Sequence, residues 1–336
     1  MDKKIKRKFE LLNTIISNYL SYYKKYYNMK SYLLLFFALT TTIILAQDTQ
    51  YIGKDIAINN YINGTLLTPK TPEKPNLAII IGGSGPTDKD GNQNFLKTNN
   101  LKKLAISLSN NQIATFRYDK RIVKQIRERS VDNTIIFDDF VTDATSVIDY
   151  FIKTNTFNKI YVIGHDQGSL IGMLASKDKA NGFISLAGSG KSIDSVITEE
   201  VAKTAPQFSQ DTQRIFEILK TGKTTTDYPV ALSSIFNIET QRFIMNWMQY
   251  NPTSILSTLN IPSLILHGSK DLQVSKAEAE SLKNASNKAQ LKIIENMNHV
   301  LVTIEGGDLE NSKSYNESHR PLANGLIDAI ITFIKE

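Results

Sequence analysis

The sequence predicts an α/β fold: a mostly parallel central sheet with helices on both faces and an inserted helical lid. Three observations carry this expectation. Short β-branched apolar runs alternate with segments of helical period, the pattern of strands joined by crossover helices. One such run, within residues 159–172, passes through a turn flanked by Gly164 and Gly168 straight into a helix. Between about residues 189 and 260 the alternation stops and only helical segments remain, so this stretch reads as the lid.

The elements follow in order. Residues 56–68 alternate apolar and polar side chains, with Asn63-Gly64 as the expected hairpin turn. Pro69, Pro72 and Pro75 mark a loop, and residues 77–81 form a short buried strand. Residues 101–108 are helical, and residues 113–116 are a strand ending in Arg117-Tyr118-Asp119-Lys120-Arg121. Lys120 and Arg121 are expected in a solvated or salt-bridged turn. Phe137, Phe140, Val141, Ala144, Val147, Ile148 and Phe151 recur at the spacing of an amphipathic helix that feeds the central strand. A helix at 169–175, strands at 183–186, 263–266 and 291–294, and helices at 275–283 and 326–334 complete the pattern.

Gly164-His165-Asp166-Gln167-Gly168 has the form of a strand-turn-helix elbow, which thrusts its central side chain out above the sheet. The expected partners follow in the order acid, then histidine: Asp271 just past one strand and His299 just past the last. Both are loop positions from which a parallel sheet presents side chains to its ligand crevice. Asp271 would orient the imidazole and His299 would act as the base. The glycine-rich turn after the strand at 77–81 would aim a backbone N–H at developing negative charge, from Ser84 first and Gly83 second. The N–H of Gln167 would be the other donor. This turn lacks the Lys-Ser/Thr ending of a phosphate loop. Trp247, Tyr228 and Tyr250 are the lid aromatics that compete between lining a substrate pocket and simply packing. His165 and His267 read as packing residues, and His319 lies in a polar loop. A metal site built from Asp166, Asp271 and two histidines is not expected, because no two of these lie together on one expected helix.

Four stretches carry a family resemblance: residues 82–92 (Gly-Gly-Ser-Gly-Pro-Thr-Asp-Lys-Asp-Gly-Asn), 117–121, 164–172 and Met297-Asn298-His299-Val300. Together they resemble bacterial α/β-hydrolases of the serine aminopeptidase-like and esterase-like group, over about residues 50–336. The resemblance implies hydrolysis of esters or acyl groups in small molecules by a Ser-His-Asp set, without a cofactor. Two positions depart from it. Asp166 stands where the family has serine, and Ile122 where it usually has glycine.

A carboxylate at the elbow changes the chemistry. Its attack on an ester gives an intermediate whose better leaving group is the attacking carboxylate, so collapse runs backwards. Attack on a saturated carbon bearing a halide or an epoxide oxygen instead leaves a stable enzyme ester that water can cleave. Haloalkane dehalogenases and epoxide hydrolases use an aspartate in this way, but this chain lacks the tryptophan beside the nucleophile and the paired lid tyrosines common in them. Three readings stand: an enzyme of ester hydrolase lineage with an Asp-His-Asp set, an aspartate-nucleophile hydrolase of the dehalogenase or epoxide type, and a catalytically impaired ligand-binding protein. Asp166 acting as a base toward water is a further way to use the side chain.

The chain has 336 residues, 41% of them apolar, and a formal charge of +6. That excess lies wholly in residues 1–30, where Lys3, Lys4, Lys6, Arg7, Lys8, Lys24, Lys25 and Lys30 face only Asp2 and Glu10. A nucleic-acid-binding face is therefore not expected. Residues 29–46 have a basic start, an apolar run and a small residue at Ala46, the order of a signal peptide. The expectation is export to the periplasm or beyond, with residues 1–28 as an upstream extension and an uncleaved membrane anchor as the alternative. There are no cysteines, so neither a disulfide nor a thiolate nucleophile enters the argument.

Overall fold

The computed structural model describes residues 17–18, 21–27 and 50–336. Residues 21–27 are helical, and the expected signal segment at 29–46 lies outside the described residues. Among the described residues no helix is long and apolar enough to cross a membrane.

From Gln50 onward the chain forms one eight-stranded sheet: β1 (Tyr51–Ala57), β2 (Asn63–Pro69), β3 (Leu77–Ile81), β4 (Ala114–Tyr118), β5 (Ile160–His165), β6 (Gly182–Leu186), β7 (Ser263–Gly268) and β8 (Ala289–Ile294). The spatial order is β1-β2-β4-β3-β5-β6-β7-β8. β2 runs antiparallel to β1 and β4, and every pair from β4 across to β8 is parallel. The hairpin turn falls earlier than expected. Asn59 Oδ1 accepts the N–H groups of Tyr61 and Ile62, so its side chain closes the turn, and Asn63-Gly64 opens β2. Gly64 is needed for another reason: a Cβ there would lie 2.4 Å from the Phe116 ring.

Two apolar layers sandwich the sheet. Successive residues of β3 point to opposite faces, Ile79 and Ile81 into one layer and Ala78 and Ile80 into the other. The first layer is built on α3 (Phe137–Thr154), α4 (Gln167–Ser176) and α10 (Lys276–Ala285), through Phe137, Val147, Ile148, Ile171 and Leu282. The second is built on α1 (Asn100–Asn110) and α12 (Leu326–Lys335), through Leu101, Leu104, Leu108, Leu326 and Ile330. Each fully buried side chain of this size contributes roughly 1.5–3 kcal/mol, against about 0–1 kcal/mol for an exposed ion pair, so these layers carry the stability. Two helices were not legible in the pattern: α2 (Arg121–Glu128), which buries only Val123, and α11 (Asp308–Ser314).

Between β6 and β7 the regular structure is helical only: α5 (Ile193–Thr204), α6 (Ser209–Lys220), α7 (Ser233–Phe236), α8 (Ile238–Trp247) and α9 (Pro252–Thr258), with short 3-10 turns. This insertion has its own core of Val201, Ile215, Phe216, Leu219, Phe236 and Ile244. Gln241, fully buried, ties it together by donating to the carbonyls of Phe236 and Thr225 and accepting the Thr225 N–H.

Candidate active site

β5 ends at His165, and the chain turns through Asp166 into α4. Asp166 has φ 52° and ψ −121°, a conformation that costs a non-glycine residue roughly 1–3 kcal/mol and must be held by its surroundings. Two glycines hold it. A Cβ on Gly164 would stand 2.1 Å from the Gly168 carbonyl oxygen, and one on Gly168 would stand 2.5 Å from that of Ile81. Strand, turn and helix therefore close to a distance no side chain permits. The Asp166 N–H donates to the Leu186 carbonyl and its own carbonyl accepts the Ser169 N–H, both at 2.9 Å.

The loops after β7 and β8 bring Asp271 and His299 together. Asp271 Oδ1 accepts the N–H groups of Gln273 at 2.8 Å and Val274 at 3.0 Å, while Oδ2 lies 2.9 Å from His299 Nδ1. With the proton on Nδ1, Nε2 is left as the basic nitrogen. Burial pushes the His299 imidazole down, but the charge and hydrogen bond of Asp271, helped by Asp166, outweigh it and hold the pKa above its ordinary value. Burial pushes Asp271 up; His299 and the two backbone donors reverse this and leave it low. His165 Nε2 donates to the His299 carbonyl at 2.8 Å, so the residue read as packing also fixes the histidine loop.

The glycine-rich turn after β3 meets the elbow directly. The Ser84 N–H donates to Asp166 Oδ2 at 2.8 Å. Gly83, the second choice of donor, serves through its missing side chain: a Cβ there would lie 2.9 Å from Asp166 Oδ2. Gln167 is the first residue of α4, where backbone N–H groups have no partner within the helix. Burial raises the Asp166 pKa, but the nearby imidazoles of His299 and His165 and hydrogen bonding from Ser84 bring it below the ordinary carboxylate value. Asp166 is thus an anion with one oxygen bound.

Lys120 departs from expectation. It is 3% exposed rather than solvated, and its Nζ donates to the Gly83 carbonyl at 2.9 Å and to Gln167 Oε1 at 2.6 Å. Arg121 is salt-bridged as a turn residue should be, gripping both oxygens of Asp143 at 2.7 Å and Asp139 at 2.9 Å.

Three chambers open around the elbow, all touching Ser84. The largest, about 440 Å³, is walled by Ile122, Ile135, Phe140, Phe243 and Trp247 and reaches Lys120 and Gln167. A second of about 200 Å³ runs from Asp166 past Trp247 to Lys191 and Glu278. The third, about 380 Å³, contains His299, Asp166, Gln273 and Tyr315. Trp247 lines two of the three while stacking on Phe137 at 5.4 Å. The two tyrosines named with it do other work. Tyr250 donates its hydroxyl to Asp138 at 2.7 Å and packs on Phe137, fastening the insertion to α3. Tyr228 packs into the insertion's own core. Each spends its polar or apolar surface on anchoring, and neither lines these chambers. Ile122, whose family position is usually glycine, forms part of the apolar wall.

A mostly parallel sheet with one reversed strand near its edge, a strained elbow and an acid–histidine pair on the following loops define an α/β-hydrolase. The chain belongs to the serine aminopeptidase S33 family of hydrolases, whose model matches residues 97–305. It is 25% identical over 263 residues to Esterase EstD of Thermotoga maritima, an alignment that covers 75% of this chain. That alignment spans 61% of the esterase's length. Among solved structures it is similar to Est1E from Butyrivibrio proteoclasticus, with a TM-score of 0.53 at 19% identity, covering 84% of this chain and 96% of that one. An esterase of Pyrococcus furiosus gives a TM-score of 0.52 at 12% identity, covering 86% and 92%. At these identities the two structures establish the fold.

Proposed function

We propose that the chain is an exported small-molecule hydrolase of ester hydrolase lineage in which Asp166 is the nucleophile, His299 activates water and Asp271 orients His299. The observation that carries the reading is the Ser84 N–H bound to Asp166 Oδ2 at 2.8 Å. A serine at this position would leave that donor for the carbonyl oxygen of a substrate ester; here the enzyme's own carboxylate occupies it. The geometry therefore suits substrates that carry no carbonyl at the reacting atom.

The steps balance on the residues present. Asp166 Oδ1 attacks a saturated carbon and the new C–O bond forms as the old bond breaks: a halide departs with the electron pair, whereas an epoxide oxygen stays on the neighbouring carbon as an alkoxide and takes a proton from water. His299 Nε2 then takes a proton from water, and the hydroxide adds to Cγ of the Asp166 ester. The negative charge develops on Oδ2, already facing the Ser84 N–H and near the start of α4. Collapse breaks the Cγ–O bond to the alkyl group, and the alcohol leaves with the proton from His299. The chamber beside the elbow offers the carbon skeleton an apolar wall of Ile122, Phe140, Phe243 and Trp247. Export rests on the order of residues 29–46 alone.

A second reading has its own support in the ester hydrolases among the chain's relatives, EstD included. In it Asp166 and His299 deprotonate a water that attacks a carboxylic ester directly. Single-turnover reaction in 18O-labelled water, followed by peptide mass analysis, separates the two. The first reading expects the label in Asp166 and none in the product alcohol; the second expects it in the product acid, with Asp166 unlabelled. Absence of turnover across halide, epoxide and ester panels would count against both and leave a ligand-binding protein.

A further inference from the structure

Lysine is seldom fully buried, because removing its ammonium from water is costly unless partners replace the lost hydration. Lys120 meets that requirement at one place only, the junction of the glycine-rich turn and the elbow. Within Asp119-Lys120-Arg121 the flanking charges turn elsewhere. Asp119 accepts the Lys89 N–H and pairs with Arg127, and Arg121 pairs with Asp139 and Asp143. The Lys120 stem runs inward, and its Nζ reaches the Gly83 carbonyl, Gln167 Oε1 and, at 4.5 Å, the face of the Phe140 ring.

The Gly83 carbonyl and the Ser84 N–H are the two ends of one peptide group. A cation on the oxygen draws electron density through the amide and makes the N–H a stronger donor. The same ammonium holds the side chain of Gln167, the residue whose backbone N–H is the other expected donor. We infer that Lys120 is a positioning residue that clamps both oxyanion donors at once, orienting and polarising the Ser84 N–H from behind and fixing the first residue of α4. Burial pushes its pKa down to about 7, with the Asp166 charge acting the other way.

This inference rests on the reading that Ser84 and Gln167 supply the oxyanion donors, and its test begins with a measurement that needs no substrate. In full-length protein, Lys120→Met keeps the apolar stem and removes the cation. The Ser84 amide proton is expected to move upfield and to exchange with solvent at least about tenfold faster, reflecting a weaker hydrogen bond to Asp166. With a substrate identified, kcat is expected to fall about ten- to a hundredfold, less than the loss of a whole oxyanion donor, with KM changed by less than about twofold. Lys120→Gln, which keeps a polar head, is the second variant should the first not fold, and it is expected to move the Ser84 amide the same way. An unmoved Ser84 amide in the variant that folds, or a change in KM alone, would overturn the inference. Because the amide is read without turnover, failure here is distinct from failure of the proposed reaction, which shows as unlabelled Asp166 in the parent enzyme.

Discussion

Asp166 Oδ2 sits 2.8 Å from the Ser84 amide nitrogen, so one oxygen of the elbow carboxylate already fills the place where an esterase would receive the carbonyl oxygen of its substrate. In the mechanism we propose, the other oxygen is the one that attacks.

Replacing the carboxylate should hand that donor back. Asp166→Ser removes the bound oxygen while keeping His299, Asp271 and the Ser84 and Gln167 amides, and it is expected to hydrolyse short aryl esters that the parent leaves untouched. Halide and epoxide consumption should vanish in the same variant. Steady-state assays on both substrate panels check this; ester turnover no faster than the uncatalysed rate would mean that the remaining parts are not set for acyl chemistry.

The pH dependence follows from His299. Water activation needs the neutral imidazole, and Asp271 holds the pKa above the ordinary value of about 6.5. The rate should therefore fall as acid protonates the ring, and on the alkaline side it should turn down as Lys120, whose pKa is about 7, loses its ammonium. Asp271→Asn removes the larger part of the upward push and leaves only that of Asp166, so the acid midpoint should move down, with kcat reduced by roughly a thousandfold or more. A kcat–pH profile of both proteins tests the sign: an unmoved midpoint would show that Asp271 does not govern the ring.

Ile122 should set the reach of the apolar chamber. Ile122→Ala removes part of its wall and is expected to shift the ratio of kcat/KM for bulky over compact apolar substrates by about tenfold toward the bulky, the range a few methylene groups command in such pockets. A chain-length series of one leaving group reads this directly. No change in the ratio would place the substrate in another chamber.

Much of this arrangement was legible in the sequence because it is local or ordered along the chain. The glycines at 164 and 168, the strand lengths and the succession 166, 271, 299 each mark a short-range or topological constraint. What escaped depended on which way a side chain turns. Nothing in Arg117-Tyr118-Asp119-Lys120-Arg121 says that the fourth residue turns toward Gly83 and Gln167 while Asp119 pairs with Arg127 and Arg121 with Asp139 and Asp143. Tyr250 could have lined a pocket or packed, and only Asp138, far away in sequence, shows which by accepting its hydroxyl. Asn63-Gly64 imitated a turn because Gly64 is demanded by Phe116, a neighbour two strands later in the chain.

The backbone at Asp166 is held by its glycine neighbours, whose approach to Gly168 and Ile81 leaves no space for a side chain, and not by any property of the carboxylate itself. The position therefore works as a socket. Its mechanical support and its reagent are separate purchases of the sequence, so one codon can exchange the reagent while the mounting, already folded, stays as it was.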